Sequence, residues 1–305
     1  VIKMKLVLKI SAEDSAKTVK HLLKTRLHIS ERLIKKLKRS GRIMLNSVPV
    51  HVNARVSEGD ILEALIEFEE ENEDIVPEKM DLDIICEDDC LIAINKPPDT
   101  VVHPTVRHFT GTVANGLRHH LLSKGVKTLI RPVSRLDRDT SGVIVFALNP
   151  YVQNELIRQM HDNTYQKEYL GIVHGTFTSA SGIIDLPIER LPGSIMLRHT
   201  SPEGAPSVTR YEVIEQFADC ALLKFRLITG RTHQIRVHCQ AAGHPLVGDT
   251  LYSLPEFKNK HIGLIRRQAL HSALVSFNHP LSGSPVKLKA PLPDDMLHAL
   301  EILRK

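Results

Sequence analysis

The strongest chemical potential in this chain lies in RPVSRLDRDTSGVIVFAL, where a polar cluster around Asp137 runs directly into the apolar stretch from Val143 to Leu148. A Val, Ile and Phe run of this length has the pattern of a buried strand. A loop entering such a strand can hold a carboxylate against a rigid sheet and leave it open to substrate. A carboxylate held in this way can serve as a nucleophile or a proton acceptor. Asp139 has the residue type of a turn or capping group. Ser141 is the candidate nucleophile of a hydrolase, yet Thr140-Ser141-Gly142 lacks the flanking glycine of a nucleophile elbow. In ITGRTHQIRVHCQAAGHPLVGDTLY, Thr232 suits the N-cap of a helix running to Ala242, with Gly243 as its terminator. Ile235, Cys239 and Ala242 would then share the apolar stripe, which turns Arg236 and Gln240 away from the core. YQKEYLGIVHG sets Lys167 and Tyr169 at the start of a strand, with Tyr165 as the neighbouring aromatic. The chain holds 17 histidines, and the adjacent His119 and His120 point apart on a helix. With no Gly-x-Gly-x-x-Gly, no P-loop and no metal-ligand spacing, the expectation is a site without cofactor or metal.

These groups need a scaffold, and the chain has length for one. At 305 residues, two domains are expected. Residues 1–66 carry 14 Lys and Arg against 6 Asp and Glu, whereas the remainder is nearly neutral. A basic module joined to a neutral one points to a polyanion as partner. Within the module, Ser30 is the expected N-cap of a helix that buries Leu33, Ile34 and Leu37. Arg32, Lys35, Lys36, Lys38 and Arg39 crowd the rest of its surface, and Gly41 ends it. A hairpin comes next, turning at Asn46-Ser47, then Gly59-Asp60 and a strand from Ile61. Six of the eight residues from Glu67 to Asp74 are acidic and Pro77 lies just beyond, the composition of an extended or mobile connector. Past it, a hairpin is expected around Glu87-Asp88-Asp89, with strands at Val143 to Leu148, Tyr169 to Val173, Val208 to Ile214 and Ala221 to Leu227. Helices are expected near Val113 to Leu122 and Tyr151 to Met160. The irregular order predicts an α+β fold: a mixed, largely antiparallel sheet with flanking helices, plus a small N-terminal α/β unit. The apolar runs are too short to span a bilayer, and the four cysteines do not form a disulfide framework, which predicts a cytoplasmic protein with no membrane partner.

The motifs carry a resemblance. ISERLIKKLKRSGRIMLNSVPVHVNARVSEGDIL resembles the RNA-binding domain named after ribosomal protein S-four, over about fifty residues. Arg-Leu-Asp followed two residues later by Thr-Ser-Gly resembles the central motif of RluA-type pseudouridine synthases, whose aspartate is catalytic; by that match it is Asp137. The same resemblance implies that Arg236 pairs with the aspartate, and that Tyr169, in the family's Lys-x-Tyr with Lys167, lines the site against the target base. DLDIICEDDCLIAINKPPDTVVHPT and RRQALHSALVSFNHP resemble the family's opening and closing segments, extending the likeness over most of residues 82–290. Lys96, Pro97 and Pro98 would shape the site from behind. Two departures stand out: Ser134 occupies the place of a usual histidine, and Asp99 that of a usual glycine.

The resemblance divides the chain into an RNA-binding unit at 1–70, an acidic linker at 71–81 and a catalytic unit at 82–305. It implies an isomerase that flips uridine out of its stack and rejoins the ribose to carbon 5 of the base, with no cofactor and no metal. Arg135, beside Asp137, is expected to fill or hold the vacated place in the RNA, and Lys167, Arg32, Lys35, Lys36 and Arg39 to contact RNA. The partner implied is 23S-type ribosomal RNA or a pre-ribosomal particle, met by a monomer. The other readings are the same chemistry on transfer RNA and a noncatalytic RNA-binding or ribosome-assembly factor.

Overall fold

The computed structural model describes residues 3–67, 74–106, 108–258 and 260–305. The chain starts with a strand, β1 (Lys3–Lys9), then two helices, α1 (Val19–Thr25) and α2 (Glu31–Arg39). Ser30 caps α2, its Oγ accepting from Leu33 N at 3.4 Å, and Leu33, Ile34 and Leu37 are buried as their spacing requires. Each such side chain contributes roughly 1.5–3 kcal/mol on burial. The strands β2 (Ile43–Leu45), β3 (Val48–Pro49) and β4 (Ile61–Glu67) come next, with Asn46 and Ser47 both at positive φ in the hairpin turn. The sheet order β1-β4-β2-β3 places the first strand beside β4, antiparallel along its whole length. Its alternation of Lys3, Lys5 and Lys9 with the buried Met4 and Leu6 is a period-two pattern on a half-buried strand.

Residues 68–73, the heart of the acidic connector, lie outside the described residues. Immediately after them, the chain is extended, one of the two expected forms, but packed and not fully solvated. Ile75 is buried, Asn115 Nδ2 donates to Val76 O at 2.8 Å, and Glu78 accepts from Gly111 N at 2.6 Å. Residues 75–78 have no helix or strand, but neighbours hold the Val76 carbonyl, the Glu78 carboxylate and the Ile75 side chain.

The larger sheet contains β5 (Ile84–Glu87), β6 (Leu91–Lys96), β7 (Arg131–Pro132), β8 (Ser141–Ala147), β9 (Gln166–His174), β10 (Ser181–Asp185), β13 (Val208–Gln216), β14 (Cys220–Leu227), β15 (Leu270–Asn278) and β16 (Pro285–Lys289). Its order is β10-β13-β14-β9-β15-β8-β6-β5, with β16 beside β15 and β7 beside β8; β15–β8 is the parallel pair among otherwise antiparallel ladders. The short ribbon of β11 (Ile188–Arg190) and β12 (Arg198–Thr200) stands apart. Helices α3 (Val113–Ser123), α4 (Pro150–His161), α5 (Gln234–Ala241) and α6 (Asp294–Leu303) flank the sheet. The fold is therefore α+β with a mixed, largely antiparallel sheet and a small N-terminal unit. One buried cluster runs without a break from Met4, Leu22 and Leu37 through Leu91, Val145 and Val152 to Phe277, and Ser30 Oγ also accepts from Asn154 Nδ2 at 2.9 Å. The N-terminal unit thus packs on the α4 side of the large sheet. A second cluster, with Ile92, Ile144, Tyr169, Phe225 and Ile235, lies beneath α3 and α5. Among the described residues no helix is long and apolar enough to cross a membrane.

Candidate active site

Asp137 sits in the turn between β7 and β8, its carbonyl accepting from Thr140 N at 3.1 Å. That turn is held from three directions. Lys96, at the end of β6 and fully buried, donates from Nζ to the carbonyls of Pro97 and Thr100 at 2.8 Å and of Arg138 at 2.7 Å. Arg267 Nη1 donates to Asp139 O at 2.9 Å and is itself gripped by Asp295. Gln268 Nε2 donates to Thr140 Oγ1 at 3.3 Å. Gly142, with φ 109, completes the join: a Cβ there would come within 2.2 Å of Ser272 O on β15. Lys96 therefore binds the Asp137 turn through its backbone carbonyls. Burial pulls its ammonium down to about 7, against the charges of Asp139 and Asp137. Asp99 takes φ 55, a left-handed conformation in which an aspartate is tolerated and a glycine free, which accounts for its standing at a glycine position.

Helix α5 delivers the arginine, with two corrections to the expected helix. Thr232 is exposed and caps nothing; the cap residue is His233 at φ 58. The cause is Gln234, whose Oε1 folds back to accept from Arg231 N at 2.9 Å and Thr229 Oγ1 at 2.8 Å and so closes the turn itself. The second correction concerns the faces: Gln234 through Cys239 are all buried, while Ala242 is exposed. Gln234 and His238 bond Thr209 Oγ1 on β13, so α5 is pinned by polar side chains as well as apolar ones. Arg236 consequently points into the protein, not out of it.

There Asp249 holds it. Arg236 Nε and Nη2 donate to the two Asp249 oxygens at 2.7 and 2.8 Å, and Nη1 donates to Asp137 Oδ2 at 3.2 Å. The side chains of Arg236, Asp249 and Asp137 are 5%, 1% and 27% exposed. Asp249 Oδ1 also accepts from Leu251 N and Tyr252 N, and Gly248 before it is at φ 75, where a Cβ would lie 2.2 Å from Arg267 O. The Tyr252 ring lies 5.0 Å from the Arg236 guanidinium carbon. Its hydroxyl accepts from Arg198 N at 3.0 Å and sits 2.7 Å from His233 Nδ1. Donation to Nδ1 leaves the proton on His233 Nε2, which faces Asp137 Oδ1 at 3.8 Å. Burial, the largest effect, lowers His233 and favours this neutral ring.

Tyr169 on β9 is buried, and burial together with the Asp137 charge raises its hydroxyl, which stays protonated at neutral pH. Tyr165, the other aromatic of that motif, belongs to the opposite cluster and stacks on Phe277 at 5.4 Å. Lys167 is half-buried on the same strand. Arg135 is exposed beside the Asp137 turn, without a hydrogen bond or ion pair among the described residues. Arg32, Lys35, Lys36 and Arg39 lie on α2, away from its buried stripe. The structure thus gathers Asp137 and Arg236, sets Tyr169 within reach of the Asp137 charge, and leaves the α2 cations exposed on their own helix. Asp249, His233 and Tyr252 went unread in the sequence. The signal that could have found them was Gly248-Asp249, a turn aspartate in the same motif as a helical arginine. Ser141 and His271 do meet, Oγ to Nδ1 at 2.9 Å, but both are buried and His271 Nε2 faces Ala290 O, so the pair ties β8 to β15 and offers no nucleophile. A cavity of about 580 Å³ lined by Phe177, Ile183, Tyr211 and His244 includes none of Asp137, Tyr169 or Arg236.

The arrangement is a partly open carboxylate beside a guanidinium that another carboxylate has already neutralised. Pairing and low dielectric keep Asp137 oriented, while the single bond leaves its other oxygen free for a reacting atom.

Residues 90–241 match the family described as RNA pseudouridylate synthase, and residues 6–62 match the RluD ribosomal pseudouridine synthase N-terminal domain. The chain is 36% identical to the uncharacterized RNA pseudouridine synthase YlyB of Bacillus subtilis, over 96% of each chain. It is 39% identical to ribosomal large subunit pseudouridine synthase D of Vibrio parahaemolyticus, covering 87% of this chain and 84% of that one. Among solved structures, human RNA pseudouridylate synthase domain containing 4 is similar at a TM-score of 0.59 and 25% identity, over 72% of this chain and 92% of that one.

Proposed function

Because the chain belongs to the RNA pseudouridylate synthase family and is by that membership an RNA uridine isomerase, we propose that it modifies large-subunit ribosomal RNA through Asp137. The observation that carries this reading is the 3.2 Å bond from Arg236 to a carboxylate that is 27% exposed, in a turn bound by Lys96. A uridine flipped out of its stack brings its anomeric carbon to that carboxylate. Two routes use the same group. Asp137 either attacks the anomeric carbon, displacing uracil as its nitrogen 1 anion and forming an ester to the ribose, or removes the ribose 2′ proton as the uracil anion departs, leaving a glycal that takes that proton back when the new bond forms. In both, the base turns while bound and its carbon 5 bonds the anomeric carbon, displacing the carboxylate in the first route; carbon 5 then loses its hydrogen as a proton and nitrogen 1 takes one up. Tyr169 supplies a ring for the base and a protonated hydroxyl that can donate to nitrogen 1.

Residues 1–70 are taken as the RNA-binding unit and 82–305 as the catalytic unit, with the α2 cations, Lys167 and Arg135 on the RNA. The similarity to large-subunit enzymes over both units favours ribosomal over transfer RNA. A cytoplasmic monomer fits this role.

The test is carbodiimide-adduct primer extension on unmodified ribosomal RNA, pre-ribosomal particles and bulk transfer RNA, each with wild-type protein or Asp137→Ala. A stop that appears on large-subunit RNA with the wild type and is absent with the variant is expected. A stop confined to transfer RNA overturns the substrate, and an equal stop with Asp137→Ala overturns the role of the aspartate.

A further inference from the structure

Away from Asp137, three potential metal ligands converge. His174 ends β9, five residues beyond Tyr169 and so about 17 Å away along an extended strand. Cys220 opens β14 and is the cross-strand partner of His174, so the two side chains leave the sheet on one face. His261 arrives from the segment after Pro255–Phe257. One ring nitrogen of each histidine and Sγ of Cys220 all lie within 4.8 Å of one another. His174 is 3% exposed, and its Nδ1 has no hydrogen-bond partner, a state that native interiors rarely leave uncompensated. Asp219 adds a carboxylate, Oδ1 lying 3.0 Å from His261 Nε2. Phe257 stacks on the His174 ring at 4.7 Å and covers it from solvent.

We propose that His174, Cys220 and His261 bind one divalent transition-metal ion of the zinc type, with Asp219 orienting His261, as a clamp between the β9–β14 edge and the segment around His261. Two imidazoles and a thiolate are the donors of tetrahedral zinc sites, in which ligand atoms stand about 3.4–3.8 Å apart given metal bonds of about 2.0–2.3 Å. His174 and Cys220 are fixed by the ladder, so any adjustment that closes the set falls to His261, which is on a loop. Burial and the nearby Asp219 hold the Cys220 thiol protonated without metal, at about 12. Binding therefore exchanges the thiol proton for the ion, and that proton goes to solvent. Burial, with His261, holds the His174 ring neutral, as a ligand must be. Forty or more residues separate each ligand from the next, so no spacing motif marks the set. Three protein donors leave the fourth tetrahedral position to a water, and the distance from Asp137 separates the ion from the isomerisation chemistry, so its part is to tie the two segments together.

The full chain, stripped with chelator and dialysed metal-free, is titrated with Co2+ alone and then with Zn2+. Expected are a tetrahedral ligand-field spectrum with a thiolate charge-transfer band that saturates at one equivalent, its loss on Zn2+ addition, and a rise in Tm of about 5 °C with excess Zn2+. Cys220→Ser should abolish the charge-transfer band, and His261→Ala, a change in a surface loop, should weaken Co2+ binding at least tenfold. Both variants should retain pseudouridine formation. A wild-type chain with no stoichiometric spectrum overturns the proposal, as does a spectrum unchanged by His261→Ala. Should Cys220→Ser fail to fold, His261→Ala and the wild-type titration decide the matter.

Discussion

Two carboxylates meet one arginine in this protein, and they are built differently. Asp249 gives both oxygens to Arg236, accepts two backbone N–H groups as well and is sealed from water. Asp137 accepts a single bond of 3.2 Å from the same guanidinium and is 27% exposed. Saturation of Asp249 makes it an anchor; the open lone pairs of Asp137 leave it free to react. The same contrast extends to their loops. The Asp249 turn is closed by its own carboxylate, whereas the Asp137 turn is held by its carbonyls through Lys96 and Arg267, keeping the side chain out of the structural work.

The difference predicts opposite phenotypes. Asp137→Asn should cut the rate of pseudouridine formation by about 10⁴-fold or more, as loss of a group that acts on the reacting bond does. Its melting temperature should move little, because only one long bond to Arg236 weakens. Asp249→Asn should instead destabilise the fold by about 3–5 kcal/mol, the usual result of depriving a buried charge of its partner. Urea unfolding and single-turnover kinetics on both variants would check this. Equal loss of stability in the two would erase the distinction between anchor and reactive group.

Lys96 tests the support of the Asp137 turn. Its ammonium supplies three N–H groups to three carbonyls, and a neutral amine supplies two. The folded value of about 7 lies below the roughly 10.4 of an unfolded lysine. Between these limits the unfolded chain holds a proton that the folded chain has released, so this group destabilises the fold progressively as pH falls from the unfolded value towards about 7. The turn behaves oppositely: above about pH 7 it loses a bond. Single-turnover rates should therefore fall above about pH 7 while the fold holds, and Lys96→Met should remove that limb and lower the rate about 10²-fold through misplacement of Asp137. A limb that persists in Lys96→Met assigns it to another group.

Much of this was legible in the chain because it depends on local chemistry. The Ser30 cap, the Leu33, Ile34 and Leu37 stripe, and the Val143 to Leu148 strand arise from spacing alone. The resemblance pointed to Asp137 and Arg236, which do meet. The illegible part depends on contacts between distant segments. Lys96 and the carbonyl of Arg138 are brought together by β6 pairing with β8, and that pairing is invisible to a window of a dozen residues. Arg236 looked like a solvent-side residue because helical periodicity assumes one buried face, and α5 is covered all round from Gln234 to Cys239. Thr232 failed as a cap because a glutamine two residues later closed the turn first. β1 was missed because its lysines, though in strict alternation, outweigh Met4 and Leu6 in a short stretch.

The smallest expected effect lies farthest from the paired carboxylates, on α2. Its Arg32, Lys35, Lys36 and Arg39 stand on a helix whose buried stripe packs in a different cluster from Tyr169 and Ile235, and they belong to a unit whose core is continuous with that of the large sheet. Charges that only bind RNA backbone act on encounter and affinity and not on the chemical step. Changing all four to Gln should raise KM about tenfold at moderate salt and leave the single-turnover rate at saturating RNA unchanged. The slope of log affinity against log salt should flatten by about 0.7–0.9 for each phosphate no longer neutralised. A fall in the saturated rate would instead mean that α2 positions the uridine at Asp137, through the packing that Ser30 shares with Asn154. The proposed division between a surface that gathers RNA and a carboxylate, Asp137, that acts on it would then have to be redrawn.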